Sequence, residues 1–392
     1  MFPRILSCVA AAACLLSAQP RVASESTIPG GPASAQRKVV GGPFAVNVTP
    51  RSATIVWVVE TDGLTVRPPA GAAKKSPSLH VEKTTLTGLQ PNTRYEYETG
   101  GPDGVKGSFK TAPAAPPNPA TTVSAAVVPA PTPPAPTPYN FIVYGDTRTR
   151  HDMHRRVINA MVAHGIPDFV VHTGDLVADG NDTSMWPVFF DIERELLRQT
   201  AFFPSLGNHE RNSKDYYEFF NVDTPYYSFN WGNAHFTVIN SDFGNAASSK
   251  EARETFWAEQ TRWMEDDLAS NQKADFRFVV AHHPPISAVS TRQEFNPKMV
   301  ALTPMFEKYA VSAGFFGHDH NYQHYLKNGV HYVITGGGGA PLYDVNKPDP
   351  KYVLKVESTE NFVTVSVNGK TAKFQAIALD GRTLEEYELK AK

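Results

Sequence analysis

Five apolar segments of this chain each end in a short polar tip, and this repeated pattern constrains the fold more than any other feature. Four of the five tips place glycine directly before the first polar residue, so the backbone can turn sharply and bring a short side chain close to a cation. The tips are Gly145-Asp146-Thr147-Arg148, Gly174-Asp175-Leu176, Gly207-Asn208-His209-Glu210, Ala281-His282-His283-Pro284-Pro285 and Gly317-His318-Asp319-His320.

Apolar strand candidates alternate with amphipathic helix candidates through this part of the chain. The predicted strands cover residues 140–144, 168–171, 202–206, 236–239, 276–280, 313–316 and 331–334, and the predicted helices lie within 157–162, 188–197, 256–268 and 299–309. Continuous apolar strands are buried on both faces, so the pattern predicts a layered α/β domain. Ligands of such domains gather beyond the carboxyl ends of the strands, and we therefore expect the tips to converge.

The pair His318 and His320 is the most suggestive tip. Two imidazoles one residue apart on a tight loop can point at two neighbouring cations, since histidine is a common ligand of transition metals. Taken alone, the pair is equally consistent with a solvated loop. The four other tips of similar chemistry favour the metal-ligand interpretation.

The first residues have the features of an export signal. Residues 1–18 contain one arginine followed by an apolar run that is too short to span a bilayer. We predict a cleaved signal peptide over residues 1–24 and a secreted, periplasmic or cell-surface protein whose mature chain has no transmembrane helix. A retained anchor and a lipoprotein signal at Cys14 are the alternatives. Both cysteines, Cys8 and Cys14, lie in this run, so the mature chain would have neither disulfides nor thiolate metal sites.

The next segment, residues 37–111, contains short β-rich runs between Gly, Pro and Asn clusters, which is typical of a small all-β sandwich. Its stretch Leu89-Gln90-Pro91-Asn92-Thr93-Arg94-Tyr95-Glu96-Tyr97 resembles the corner of a fibronectin type III domain, where a tyrosine bonds back to the chain. Residues 112–138 contain ten prolines among twenty-seven residues, which predicts an extended linker. We expect such a linker to hold its two neighbours loosely.

The ordered series GD, GD, GNHE, AHHP and GHDH resembles the calcineurin-like metallophosphoesterases over residues 139–340. The flanking segments 226–236 and 260–268 are most similar to the purple acid phosphatase branch, which also begins with a fibronectin-like domain. The resemblance implies a layered α/β/β/α sandwich at residues 139–345, with a smaller N-terminal all-β sandwich. Residues 346–392 alternate between β-rich runs and turns, which predicts antiparallel hairpins that complete the catalytic domain.

The resemblance also implies a set of metal ligands for two ions. Asp175 would bridge the ions, Asp146 and His320 would bind one of them, and three further ligands would bind the other, namely Asn208, His282 and His318. A hydroxide shared by the ions would attack phosphorus in line. His209 would protonate or steady the leaving oxygen, and Glu210 would either orient His209 or form a plain salt bridge. Spacing alone does not decide between His282 and His283 as the ligand.

Two departures from the family pattern affect this assignment. The purple enzymes carry an iron-binding tyrosine at the position of Ala178, so a purple ferric centre is not expected and the metals are Fe, Mn or Zn. The first motif often carries a histidine where this chain has Arg148, which cannot ligate a metal. The Arg148 guanidinium is expected to contact the substrate phosphate, with a surface salt bridge as the alternative.

The leading hypothesis is an exported phosphatase that hydrolyses small phosphate monoesters. A phosphodiesterase or nucleotide hydrolase using the same metals is the rival among enzymes, and a surface binding protein that has lost catalysis is the rival from another class. A formal net charge of −2 gives no reason to expect nucleic acid or an anionic membrane as a partner. The sequence does not specify an oligomeric state.

Overall fold

The computed structural model describes residues 22–23, 38–66, 74–99, 104–114, 137–292 and 296–391. Nearly all of the predicted signal peptide and most of the predicted linker therefore lie outside the described residues. Among the described residues, no helix is both long enough and apolar enough to cross a membrane.

Most strands belong to two sheets. The larger sheet has ten strands, in the spatial order β1 (Val22–Ala23), β4 (Lys74–Thr87), β3 (Ser52–Val66), β2 (Lys38–Val46), β9 (Ala201–Pro204), β8 (Phe169–His172), β7 (Tyr139–Tyr144), β17 (Asn361–Asn368), β18 (Thr371–Ala378) and β19 (Thr383–Lys390). The smaller sheet has seven strands, in the order β10 (Tyr227–Trp231), β11 (Ala234–Val238), β12 (Phe276–Val280), β13 (Ala313–Phe316), β15 (Val330–Thr335), β14 (Tyr322–Lys327) and β16 (Val353–Glu357). A separate hairpin joins β5 (Arg94–Glu98) to β6 (Lys106–Lys110).

In the part of the chain that the structure describes, five α-helices cover the sheets: α1 (His151–His164), α2 (Trp186–Leu197), α3 (Lys214–Phe220), α4 (Lys250–Ser270) and α5 (Pro297–Lys308). Their first turns show recognisable start signals. The Ser249 hydroxyl accepts a hydrogen bond from the Ala252 amide at the start of α4, and the Asn296 side chain accepts one from Met299 just before Pro297 opens α5. The four longer helices match the predicted helical segments, whereas α3 was not predicted.

The two sheets pack face to face, with helices on both outer faces. Between the sheets, the Phe141 ring of β7 makes edge contacts with Phe236 of β11 and Phe315 of β13, at 5.3 and 6.0 Å between ring centroids. On the outer faces, one cluster of buried apolar side chains joins the larger sheet to α1 and α2, and another joins the smaller sheet to α4 and α5. This order of layers confirms the predicted α/β/β/α sandwich.

Parallel strands place the five polar tips at one end of the molecule. β7, β8 and β9 pair in parallel within the larger sheet, and β11, β12, β13 and β15 do so within the smaller sheet. Every tip follows the carboxyl end of one of these strands, in agreement with the rule applied to the sequence.

The N-terminal region is all-β, as predicted, and it packs closely on the rest of the chain. β2 pairs in parallel with β9 at Ala45 and Ala201. The Lys110 ammonium lies 3.1 Å from the Asp168 carboxylate, and the Tyr97 hydroxyl donates to the Arg198 carbonyl oxygen at 3.3 Å. The expectation of loosely held neighbours is therefore wrong, because strand pairing and a shared apolar core join them.

In residues 89–97, which resemble the corner of a fibronectin type III domain, a tyrosine does bond back to the chain. The Tyr95 hydroxyl accepts a hydrogen bond from the Gln90 amide at 2.8 Å. One such contact does not identify a fibronectin domain. That assignment, like the boundaries at 37–111, 112–138, 139–345 and 346–392, stays a prediction.

The C-terminal runs form antiparallel pairs in different sheets. β16 pairs with β14 at the edge of the smaller sheet. β17, β18 and β19 form a meander that pairs with β7, so the first of these strands lies inside the larger sheet.

Candidate metal centre

The tips bring their side chains together through tight backbone turns. Asp146, Asp175 and His318 adopt positive φ angles of 61°, 58° and 67°, a conformation that few residues other than glycine adopt. A Cβ atom on Gly207 would lie 2.3 Å from the backbone nitrogen of Asp175, and one on Gly317 would lie 2.4 Å from a carboxylate oxygen of Asp146. Glycine is therefore required at both positions by lack of space.

Two buried carboxylates form the floor of the site. Asp146 and Asp175 are almost fully buried, and the His318 amide donates to both oxygens of Asp146 at 2.9 and 3.1 Å. Burial, and after it the charge of Asp175, raises the pKa of Asp146 well above its usual range. Two buried carboxylates this close together need positive charge nearby if Asp146 and Asp175 are both to stay ionised.

Two imidazoles face these carboxylates with fixed tautomers. The Nδ1 atom of His282 lies 2.8 Å from the Thr173 carbonyl oxygen, and that of His320 lies 2.6 Å from the Pro341 carbonyl oxygen. A carbonyl oxygen only accepts hydrogen bonds, so Nδ1 must carry the proton in both rings. The opposite nitrogens, Nε2, lie 3.3 Å from Asp175 Oδ1 and 3.4 Å from Asp146 Oδ1 respectively.

Burial keeps both rings neutral. It lowers the pKa of His282 well below its usual range and lowers the pKa of His320 to about 4. In each case a neutral nitrogen with a lone pair therefore faces a carboxylate oxygen. A cation between such atoms would be bound by both, and backbone hydrogen bonds of this type commonly orient histidine ligands of metals.

Asn208 and His318 complete the cluster. The Asn208 amide oxygen lies 3.1 Å from both His282 Nε2 and His318 Nδ1. Potential ligand atoms of Asp146, Asp175 and His282 all lie within 4.8 Å of one another. All six predicted metal ligands thus lie in one cluster, and Asp175 lies beside both Asp146 and His282 within it. This set of carboxylate, amide and imidazole donors fits two divalent or trivalent ions.

His283 lies beside this cluster. Its Nδ1 atom lies 2.9 Å from the Ser241 hydroxyl, and its ring centroid lies 4.2 Å from that of His318. His283 also forms a possible ligand group with His282 and His318. However, His282 is the histidine of the pair that contacts Asp175 and Asn208, so the geometry favours His282 as the ligand.

His209 lies at the edge of the cluster, where solvent reaches it. Its Nδ1 atom is 2.7 Å from the Ala178 carbonyl oxygen, and its Nε2 atom is 3.9 Å from Asp175 Oδ2. The side chain is 28% exposed, so solvent reaches part of the ring. This position is compatible with the predicted contact to a leaving group.

Both alternatives predicted for Glu210, orienting the His209 ring and forming a plain salt bridge, are wrong. This buried carboxylate accepts backbone hydrogen bonds from Gly207 and Asp175 with one oxygen and from Leu176 and Val177 with the other. Burial and the charge of Asp175 raise its pKa to about 8, although the hydrogen bonds from the amides of Gly207, Asp175 and Val177 act to lower it. Glu210 therefore joins the second and third tips through their backbones and does not orient the His209 ring.

Arg148 lies inside the site. Its Nε atom is 3.2 Å from Asp175 Oδ2, and its side chain is mostly buried. The alternative of a surface salt bridge is therefore wrong, because the partner is the buried carboxylate at the centre of the cluster.

Sequence reasoning missed Arg292 and Tyr343. The Arg292 guanidinium contacts His318 Nε2, and Tyr343 stacks on the His320 ring with 4.2 Å between centroids. Neither residue belongs to a motif, so no local signal could have identified them.

Comparisons with known proteins agree with this geometry. A family model for the calcineurin-like phosphoesterases matches residues 139–322. Tartrate-resistant acid phosphatase type 5 of Rattus norvegicus is 26% identical over 254 residues, which covers 55% of this chain and 77% of that protein. Acid phosphatase type 7 of Mus musculus is 22% identical over 299 residues, which covers 69% of this chain and 62% of that protein.

The fold also matches a solved structure. A purple acid phosphatase from yellow lupin seeds (Lupinus luteus) superimposes with a TM-score of 0.66 at 17% identity, over 89% of this chain and 74% of that chain. This likeness shows that the two chains share a fold. The family match at residues 139–322 and the acid phosphatase relatives show that the chain is similar to the calcineurin-like phosphoesterases, and they support a metal-dependent phosphoric ester hydrolase.

Proposed function

We propose that the protein is an exported phosphatase that hydrolyses phosphate monoesters at a site for two metal ions. The main support is the pair of neutral Nε2 atoms on His282 and His320, each of which faces a buried carboxylate oxygen. Metal ions at such a site supply Lewis acidity and an acidified water molecule as the nucleophile.

The six ligands would share the ions as the family resemblance implies. Asp175 would bridge them, Asp146 and His320 would hold one, and the other would be held by Asn208, His282 and His318. The four backbone hydrogen bonds to Glu210 fix the turns that present Asp175 and Asn208, so these ligands are positioned before any ion binds.

His209 would supply the proton for the leaving oxygen. Its Nδ1 proton is committed to the Ala178 carbonyl oxygen, which leaves Nε2 as the atom that exchanges a proton at the open side of the site. Arg148 would contact the phosphate from the side of Asp175, since it already lies 3.2 Å from that carboxylate. Arg148 stays protonated and cannot ligate a metal, and the imidazole of His209 can both donate and accept a proton.

The metals are proposed to be Fe, Mn or Zn. Ala178 has no oxygen or sulfur in its side chain, so it cannot replace an iron-binding tyrosine. The remaining ligands combine imidazole, amide and carboxylate groups, which suit several divalent ions of the first transition row.

A test of the function compares paired substrates after reconstitution. We would remove the metals with a chelator, restore Mn, Zn or Fe one at a time, and measure kcat/KM on p-nitrophenyl phosphate and on bis(p-nitrophenyl) phosphate. A higher kcat/KM on the monoester supports the proposal, and the reverse order favours the phosphodiesterase. Bound metal without turnover of either ester favours the binding protein.

Export is the second part of the proposal, and it is supported by the apolar run in residues 1–24. Expression of the full chain with a C-terminal tag, followed by sequencing of the mature N-terminus in the exported fraction, tests it. A tagged protein that keeps Met1 and stays inside the cell would refute the signal peptide.

A further inference from the structure

Arg292 occupies a distinct place at the rim of the metal centre. One terminal nitrogen of its guanidinium contacts His318 Nε2, and the other donates to the Tyr343 hydroxyl at 3.1 Å. The guanidinium carbon lies 4.8 Å from the centre of the Tyr343 ring, so the cation also rests on an aromatic face. The side chain is 22% exposed and therefore remains open to a ligand from solvent.

The residues that hold Arg292 are themselves tied to the predicted metal ligands. Tyr343 stacks on His320, and its amide donates to the His320 carbonyl oxygen at 3.0 Å. Asp319 lies between the ligands His318 and His320 in sequence, and its Oδ1 atom lies 3.8 Å from the Nε atom of Arg292. The guanidinium is thus held at a defined position relative to the site, which reduces the entropy lost when it binds an anion.

The contact with His318 has a consequence for the ligand chemistry. His318 Nδ1 faces Asn208 and His282, so Nδ1 is the nitrogen that would bind a metal. A neutral imidazole that binds a metal through Nδ1 carries its proton on Nε2. The Nε2 proton and the guanidinium protons would then face each other as donors, and the guanidinium would need another acceptor.

We infer that Arg292 is a phosphate-binding residue, which exchanges its contact with His318 for the oxygens of a substrate phosphoryl group when His318 binds a metal. This inference rests on the proposed function, because it requires the same metal ligands. It adds a specificity determinant beside His318, whereas Arg148 lies beside Asp175.

A guanidinium in this position favours the more highly charged phosphate. The terminal phosphate of a monoester carries two negative charges near neutral pH, whereas a diester carries one. A planar guanidinium binds two phosphoryl oxygens at once, and a diester has one fewer free oxygen to offer. Arg292 should therefore favour monoesters and inorganic phosphate over diesters.

The test uses Arg292→Met and Arg292→Lys, with Arg155→Met as the matched control. Arg155 is half exposed on α1 and pairs with Asp191 away from the metal centre. For each metal-loaded protein, metal content, the dissociation constant of inorganic phosphate by calorimetry, and kcat/KM on paired mono- and diester substrates are measured.

We expect unchanged metal content and a phosphate dissociation constant that rises roughly 10- to 100-fold in Arg292→Met, the range for one charge-assisted hydrogen-bonded contact. The loss of kcat/KM should be larger on the monoester than on the diester, and Arg292→Lys should fall between Met and the wild type. Phosphate affinity equal to that of Arg155→Met would overturn the inference, as would equal losses on both esters.

The two hypotheses fail in different ways. A wild-type protein that binds metal and phosphate but turns over neither ester refutes the proposed function, and phosphate affinity in the variants still decides the role of Arg292. If Arg292→Met does not fold, the Arg292→Lys variant supplies the same comparison, because it keeps the charge and loses the planar pair of donors.

Discussion

A methyl group added at Gly207 should damage the metal centre through lack of space alone. The Gly207 φ angle lies outside the positive range, so alanine can adopt its backbone conformation without strain. The new Cβ would nevertheless lie 2.3 Å from the backbone nitrogen of Asp175 and 2.3 Å from its Oδ1 atom. Ordinary van der Waals contact begins at 3.4 Å. The two tips must therefore separate by 3.4 − 2.3 = 1.1 Å.

That separation affects stability and metal binding to different extents. Overpacking by one methyl group in a tight site costs about 1–3 kcal/mol of unfolding free energy. Metal ligands tolerate displacements of only about 0.2 Å, so a shift of Asp175 that is several times larger should abolish its bond to at least one ion. The loss of the stabilisation that bound metal provides should then add to the cost of overpacking.

Urea unfolding of Gly207→Ala with and without chelator separates the two effects, and mass spectrometry measures the bound metal. Gly244→Ala is the control, because the nearest atom to its Cβ would be Asp242 Oδ1 at an ordinary 3.4 Å. We expect Gly244→Ala to stay within about 0.5 kcal/mol of the wild type. If Gly207→Ala matches this control in both unfolding free energy and metal content, the close approach of the tips does not constrain the site.

Four further predictions follow from the same contacts. Asp175→Ala should lose metal at both positions, and normal metal content in this variant would exclude a bridging role. His209→Ala should keep its metals and lose about 10²- to 10⁴-fold in kcat; the loss should be larger on alkyl than on nitrophenyl esters, and equal losses would exclude proton donation. Because burial lowers the pKa of His320 to about 4, its ring in the metal-free protein should be neutral at pH 5 and become charged below about pH 4, as histidine NMR would measure. A charged His320 ring already at pH 6 would contradict this. Tyr97→Phe removes bonds to the carbonyl oxygens of Pro43 and Arg198 and should lower the unfolding free energy by about 1 kcal/mol; no change would indicate that these bonds do not hold the N-terminal region.

The convergence of the metal ligands could be predicted because it depends on local patterns. Each apolar run identifies a buried strand, and the polar residue after glycine marks where that strand ends. Parallel strands then bring their ends to the same edge of each sheet. Asp146 follows β7 of the larger sheet and His318 follows β13 of the smaller sheet, so they meet, 172 residues apart, because the two sheets pack face to face. The local patterns do not predict that packing, which was implied by the family resemblance.

The residues that support the ligands could not be predicted in this way. The Glu210 carboxylate reaches backbone amides of a different tip, and sequence spacing does not show which atoms a buried side chain will meet. Arg292 follows the fourth tip in a segment without strand or helix periodicity, and its partner Tyr343 is 51 residues away. The contact of β2 with β9 is also a long-range pairing without a local signal.

The missing tyrosine at position 178 and the missing first-motif histidine, where this chain has Arg148, were the two reasons to consider a binding protein without catalysis, and the contacts of residue 178 weaken the first of them. Ala178 holds His209 through its backbone carbonyl oxygen, at 2.7 Å from Nδ1. The side chain at position 178 takes no part in this bond, because a carbonyl group is common to every residue type. A change from tyrosine to alanine therefore removes one metal ligand and leaves the proposed proton donor in place. The substitution should alter which metals bind without removing the group that assists the leaving oxygen, which favours an enzyme with a different metal preference over a protein that has lost hydrolysis.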